Sequence, residues 1–294
     1  MSIKKCLVIG WFVAALLICF ISTAFAFNET VADKPLWAIG GEVEIRFRTI
    51  VNYLADYSED MIRSSIYRAP WGENLLYAGC EEYKPVTPEE AEIININEQK
   101  KEYTIIFHKP GRYQIVDIMM YILDPENETL VEIGKELNDA VEECKGKNEK
   151  ETASLLRKWI VNRIQYGDDS SDYPERAQYD DPIGVLIGRK AICTGYAGLY
   201  QLLTEACGIW SKTLTVEVKR NKGGHVINMN RLDEEWSFTD VTWEDAGRKC
   251  KNQYFAMNEK KMKKYYSIPD YEDFYYNWFS SPEQIERLNN LLDL

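Results

Sequence analysis

The 294-residue chain is 45% hydrophobic and 28% charged, a composition that is typical of globular proteins and excludes fibrous and largely disordered classes. Its net charge of −12 repels polyanions, so nucleic acid is not expected as a partner. Because the chain has only two histidines, a zinc site is not expected, and no motif indicates a cofactor.

The N-terminus has the pattern of a secretory leader. The basic pair Lys4 and Lys5 precedes an apolar run, and Ala24-Phe25-Ala26 supplies small residues at a cleavage site. This pattern predicts a signal peptide over residues 1–26 and a secreted or extracytoplasmic protein. The alternative is an uncleaved anchor, because the uncharged run is long enough to span a bilayer. No later segment looks membrane-spanning, so we expect no membrane partner once the leader is removed.

Residues 36–123 are mostly strand-like. Apolar residues alternate with charged ones at Val43-Glu-Ile-Arg-Phe47, the signature of a half-buried strand. Two further apolar runs flank the Lys109-Pro-Gly111 turn, which predicts a hairpin. Thr87-Pro-Glu-Glu90 has the form of a helix start or a short turn. We predict a β-sandwich domain over 33–125, for which an immunoglobulin-like topology is one option.

A polar, turn-rich segment at 124–128 marks the predicted domain boundary, and helical patterns follow it. Residues 168–181 form an acidic segment that indicates a surface loop. Helix, hairpin and strand in succession indicate an α+β domain over 130–294, ending in a helix after Ser281. The predicted elements are helices near 156–164 and 193–207 and strands at 213–218, 225–230 and 236–241.

Five cysteines remain after removal of the leader. An odd number in an oxidising compartment leaves at least one free thiol, and the pairing of the others cannot be chosen from sequence. A bridge between Cys207 and Cys250 is slightly favoured over separate thiols. The five are Cys80, Cys144, Cys193, Cys207 and Cys250.

Three residues have the chemistry of a nucleophilic thiol site. Cys193 begins a predicted helix, where the positive end of the dipole favours a thiolate. His225 opens a strand directly after two glycines, and Asp240 lies on the next predicted strand. Adjacent antiparallel strands can place a carboxylate against an imidazole, which fixes its tautomer and stabilises the imidazolium. Each residue taken alone is more often structural, so the joint pattern carries the prediction.

Three motifs carry a family resemblance. They are Gly188-Arg-Lys-Ala-Ile-Cys193-Thr-Gly-Tyr-Ala197, Gly224-His225-Val-Ile-Asn228 and Trp236-Ser-Phe-Thr-Asp240-Val-Thr-Trp243. Over roughly 152–245 the chain resembles the transglutaminase-like superfamily in its bacterial, secreted form. The resemblance implies a papain-like core in which Cys193 is the nucleophile, His225 the general base and acid, and Asp240 the orienting group. The aromatic residue that usually follows the histidine is replaced by Val226.

The expected activity is acyl transfer through a thioester on a protein or peptide substrate, including cell-wall peptide. The Cys193 backbone N–H is expected to form part of an oxyanion hole, with Gln165 or Tyr166 as candidate second donors by position. One alternative is a catalytically silent binding or scaffolding module at the cell surface. Another is that Cys193 is paired in a disulfide.

Overall fold

The computed structural model describes residues 30–32, 35–49, 62, 64, 66–71, 75, 83–97, 102–115, 118–167, 179–245 and 252–268. The predicted signal peptide, Cys80, Cys250, most of the acidic loop and the helix after Ser281 lie outside the described residues. Within the described ranges, no helix is long and apolar enough to cross a bilayer.

The first part of the chain folds into two sheets. One has four antiparallel strands in the order β1-β3-β7-β6. The other has the order β2-β9-β8-β4-β5, in which only β2 and β9 run parallel. The strands are β1 (Thr30–Ala32), β2 (Trp37–Ile39), β3 (Val43–Thr49), β4 (Ile66–Ala69), β5 (Lys84–Pro85), β6 (Ala91–Asn97), β7 (Glu102–Phe107), β8 (Gly111–Ile115) and β9 (Ile118–Leu123).

The predicted alternation in β3 is confirmed, because Ile45 and Phe47 are buried while Glu44 and Arg46 are exposed. Thr87–Glu90 forms a turn, in which Thr87 N–H donates to the Glu90 carboxylate at 3.1 Å. The structure thus selects the short turn over the helix start.

The hairpin predicted around the Pro110 turn is wrong. β7 and β8 belong to different sheets, and the second predicted strand is divided into β8 and β9, which pair with each other. The Arg68 guanidinium of β4 donates to Pro110 O at 2.6 Å and so holds the turn beside the second sheet. Phe107 and Tyr113 meet edge to face at 4.7 Å in the interior. The turn therefore carries the chain from one sheet to the other.

The second part of the chain combines helices with a four-stranded sheet of order β14-β13-β12-β15, and a short parallel pair is formed by β10 and β11. This arrangement confirms the α+β class. The elements are α1 (Glu128–Glu143), α2 (Glu149–Arg163), β10 (Gln165–Tyr166), α3 (Pro182–Gly188), β11 (Lys190–Ala191), α4 (Cys193–Ala206), β12 (Ser211–Val218), β13 (Gly224–Leu232), β14 (Glu235–Thr239), α5 (Val241–Asp245), α6 (Glu259–Tyr265) and β15 (Tyr266–Ser267).

Two short helices were not predicted. α3 begins at Pro182, with the Asp181 carboxylate accepting two backbone N–H groups of its first turn, and it ends at Gly188. The third predicted strand was extended too far, because β14 ends at Thr239 and α5 follows within two residues. Asp181 caps α3 and Asp240 caps α5. An aspartate at the N-cap position favours the start of a helix.

A continuous buried core joins the two parts of the chain. Trp37 Nε1 of β2 donates to Asn138 Oδ1 of α1 at 2.9 Å. α1 also approaches β2 closely, since a Cβ on Gly134 would lie 2.7 Å from Ile39 Cδ1. The chain passes from strand to helix between Leu123 and Glu128, at the predicted boundary, and the core continues across it. The division into two domains stays a prediction.

Candidate active site

Cys193 is the first residue of α4, and it is partly exposed. Ile192 precedes it as the N-cap residue and makes no side-chain hydrogen bond to the helix. The first N–H groups of a helix have no partner within the helix, and the aligned peptide dipoles give this end a partial positive charge. The thiol therefore lies at an end of the helix that favours negative charge.

His225 is the second residue of β13 and is 7% exposed. Its Nε2 lies 2.8 Å from Oδ2 of Asp240, and its ring also interacts with the thiol of Cys193. Because Nε2 faces the carboxylate, Nδ1 is the ring nitrogen left for the thiol. The structure thus brings the three predicted residues together in the order Cys193, His225, Asp240.

Asp240 is fully buried between β14 and α5. Its Oδ2 accepts hydrogen bonds from His225 Nε2–H and, at 2.5 Å, from the Tyr266 hydroxyl. Its Oδ1 accepts the Trp243 N–H at 3.0 Å, which is the contact of an N-cap residue. Donors from three separate elements therefore fix both oxygens of the carboxylate, as a buried charge requires.

The electrostatics of the site favour the charged form of His225. Burial lowers the pKa of the His225 ring, but the hydrogen bonds to Asp240 and Cys193 and their charges outweigh burial and raise it to about 10. The Trp243 ring stacks on the imidazole with centroids 5.4 Å apart. At neutral pH the ring is therefore an imidazolium, held by a carboxylate and covered by an aromatic face.

The start of α4 is packed tightly against the preceding chain. The Tyr179 carbonyl accepts the Ile192 N–H at 3.2 Å, and a Cβ on Gly195 would overlap that same carbonyl oxygen. Thr194 Oγ1 donates to the Asp180 carboxylate. These contacts fix the backbone on both sides of Cys193, and only glycine fits at 195.

A buried ion pair supports the carboxylate side of the site. Arg157 Nη1 of α2 lies 2.8 Å from Glu244 Oε2 of α5, and both side chains are almost fully buried. The Glu244 carboxylate also accepts the N–H groups of Asn252, at 3.2 Å, and Tyr254, at 2.6 Å. Tyr254 O in turn accepts the Asp240 N–H at 2.9 Å. The pair thus anchors the segment that lies against Asp240.

The two candidate oxyanion donors lie beside the nucleophile in the fold. Gln165 and Tyr166 form β10, which pairs in parallel with β11, two residues before Cys193. Both of their side chains are exposed. The Tyr196 hydroxyl of α4 donates to the Asp245 carboxylate, which also interacts with the Tyr166 backbone. β10 is therefore tied to both α4 and α5 near the thiol.

Cys144, Cys193 and Cys207 are free thiols, so the structure contains neither a Cys207–Cys250 bridge nor a disulfide at Cys193. Burial raises the pKa of Cys144, and it raises the pKa of Cys207 to about 11. Within the described ranges, no group of three His, Cys, Asp or Glu side chains could hold a metal ion.

Four residues that support the site were not predicted from the sequence. Trp243 belongs to one of the three sequence motifs, but no contact with His225 was predicted for it. The pairing of Arg157 with Glu244 joins helices that are far apart in sequence. Tyr266 follows the lysine-rich stretch of α6, a context with no local signal of a buried polar contact.

Residues 137–241 match the sequence profile of the transglutaminase-like superfamily. The chain therefore contains a transglutaminase-like core, which confirms the resemblance carried by the three motifs. The match begins within α1 and ends at the first residue of α5, so it includes all three predicted site residues. The comparison with curated proteins finds no match.

Solved structures with similarity to this chain include a TGase (13% identity, TM-score 0.34), a candidate cysteine protease from Cytophaga hutchinsonii (15%, 0.32) and red sea bream transglutaminase (9%, 0.25). The alignments cover 52%, 53% and 71% of this chain and 43%, 62% and 49% of those structures. The chain thus spans less than two thirds of each. The assignment of the core rests on the family match.

Proposed function

We propose that this protein is a secreted, cysteine-dependent acyl-transfer enzyme of peptidase, amidase or transglutaminase type that acts on protein or cell-wall peptide. One observation carries the proposal. A partly exposed thiol at a helix start interacts with His225, whose other nitrogen is held at 2.8 Å by the fully buried Asp240. A structural cysteine has no need of this chain of contacts.

The geometry supports a thioester mechanism. The Cys193 thiolate attacks a carboxamide or peptide carbonyl, and ammonia or an amine leaves with a proton from the His225 imidazolium. Water or an amine then attacks the thioester and gives its proton to His225. Asp240 keeps the ring oriented and compensates its positive charge. The choice between hydrolysis and amine transfer depends on which nucleophile reaches the thioester.

Alkylation with iodoacetamide, followed by peptide mass spectrometry, tests the first step. We expect Cys193 to react fastest among these thiols, and the His225→Ala variant to slow this reaction at least ~10-fold because the imidazolium that stabilises the thiolate is lost. Cys144 and Cys207 are internal controls, since burial raises the pKa of each. If Cys193 reacts no faster than these two in the folded protein, the proposal fails.

A peptide-library screen on the wild type and the Cys193→Ala variant then identifies the acyl donor. Turnover that depends on Cys193 supports an enzyme. Full biological function of the Cys193→Ala variant would instead support a binding or scaffolding module.

The secreted location is proposed from the sequence of residues 1–26. The intact mass of protein recovered from the culture medium is expected to correspond to a chain that begins at Phe27. A mass that retains the leader would support the membrane anchor instead.

A further inference from the structure

β15 brings a second buried side chain to Asp240. In this strand Tyr266 lies opposite Val218 of β12, and its side chain has no exposed surface. The residue lies beyond 137–241, the segment that matches the superfamily. Neither that match nor the sequence motifs give Tyr266 a role.

The hydroxyl of Tyr266 is a buried polar group on a ring that otherwise packs among apolar side chains. Its ring belongs to a hydrophobic cluster beneath the C-terminal sheet, together with Val216 and Met262, and a phenylalanine would fill that space equally well. The hydroxyl instead points at a carboxylate and donates to Oδ2 of Asp240 at 2.5 Å. Burial and the charge of Asp240 hold the pKa of Tyr266 far above its usual range, so the phenol stays protonated and remains a donor.

Tyr266 and His225 share one acceptor atom. Both donate to Oδ2 of Asp240, and their rings stack with centroids 6.0 Å apart and an interplanar angle of 15°. Oδ1 is held separately by the Trp243 N–H. The phenol and the imidazole therefore share the negative charge of one carboxylate oxygen.

We propose that Tyr266 is a positioning residue of the Cys193–His225–Asp240 site, which orients Asp240 and sets how strongly its carboxylate holds a proton on His225. The inference rests on the proposed function, because it concerns the same reaction. Tyr266 acts through Asp240, to which its hydroxyl donates.

The direction of the effect follows from the shared oxygen. A neutral donor stabilises the carboxylate most when the His225 ring is neutral, because no cation then lies beside it. Removing the phenol therefore favours the imidazolium and raises the pKa of His225. Deacylation requires the neutral His225 ring as general base. Its rate at neutral pH therefore falls in proportion to the fraction of His225 that is neutral.

The test uses p-nitrophenyl acetate as a generic acyl donor. Acylation forms the bond between Cys193 sulfur and the acetyl carbon, and p-nitrophenolate leaves in a burst. In deacylation water adds to the thioester carbonyl, its proton passes to His225, and the carbon–sulfur bond breaks to release acetate. The steady-state rate as a function of pH reports the protonation of His225.

In the Tyr266→Phe variant we expect the burst to persist and the midpoint of the pH profile to move upward by about one unit. Turnover below the midpoint then falls roughly 10-fold. A merely structural role would reduce the rate equally at all pH values and leave the midpoint in place. An unchanged midpoint in a folded Tyr266→Phe variant therefore overturns the inference.

Tyr265→Phe is the matched control, because the neighbouring phenol interacts with Gln253 Nε2 at 3.1 Å and not with Asp240. Its midpoint and turnover are expected to equal those of the wild type. If Tyr266→Phe does not fold, 3-fluorotyrosine at position 266 keeps the ring and strengthens the donor, so the midpoint is expected to move downward. No downward shift overturns the inference.

Failure of the proposed function gives a different result from failure of this inference. A wild type without a burst, or a burst that survives in Cys193→Ala, overturns both. A burst that depends on Cys193, combined with an unchanged midpoint in Tyr266→Phe, overturns the role of Tyr266 alone.

Discussion

The buried pair formed by Arg157 and Glu244 determines how firmly the carboxylate side of the site is held. Their side chains are 0% and 1% exposed, and the two charged atoms lie 2.8 Å apart. The guanidinium also donates to Asn252 Oδ1 at 2.7 Å and stands 4.6 Å from the Phe255 ring centroid. Arg157→Met keeps most of the aliphatic stem but leaves the Glu244 carboxylate without its cation. Removal of one partner of a buried pair costs about 3–5 kcal/mol, so we expect a loss of that size in the free energy of unfolding.

Urea unfolding followed by tryptophan fluorescence measures this loss. The matched control is Lys145→Met, which removes a cation 2.7 Å from Glu142 in a pair whose side chains are 62% and 70% exposed. Water already solvates those charges, so the control should lose less than about 1 kcal/mol. If Arg157→Met also loses less than about 1 kcal/mol, the pair is not desolvated in solution and the reasoning is refuted.

Two further predictions concern the nucleophile and its base. Gly195→Ala places a Cβ against the Tyr179 carbonyl. Alkylation of Cys193 should therefore slow, and the melting temperature should fall. Unchanged values for both would show that the backbone around Tyr179 moves aside at little cost in free energy. The pKa of His225 is raised from 6.5 to about 10 in the fold, so the stabilisation from its charge is complete below pH 6.5 and is lost as the pH rises toward 10. The stability difference between wild type and His225→Gln should therefore shrink over that interval; a constant difference contradicts the raised pKa.

The parts of the site that can be predicted from the sequence are those whose secondary structure is set by a few neighbouring residues. The helix that begins at Cys193 and the strand predicted to open at His225 follow from short patterns, and both occur, the strand beginning one residue earlier at Gly224. The turn at Pro110 shows the limit of such patterns, because the same residues suit a hairpin and a crossing between sheets. Burial of Phe107 and Tyr113 in one interior decides between the two, and that burial depends on partners distant in sequence.

The contacts of Asp240 show why some partners of the site could not be predicted from the sequence. Its contact with Trp243 is three residues away and is a cap pattern that can be recognised locally. Its contact with His225 requires β13 and β14 to be neighbours, which the predicted succession of strands supplied. Its contact with Tyr266 requires β15 to add to the far edge of the sheet, next to β12. A strand of two residues after a lysine-rich helix gives no signal of that position, because its place is set by the hydrophobic cluster that its ring completes. A hydrogen-bond partner of a site carboxylate can therefore lie outside the motifs that identify the site.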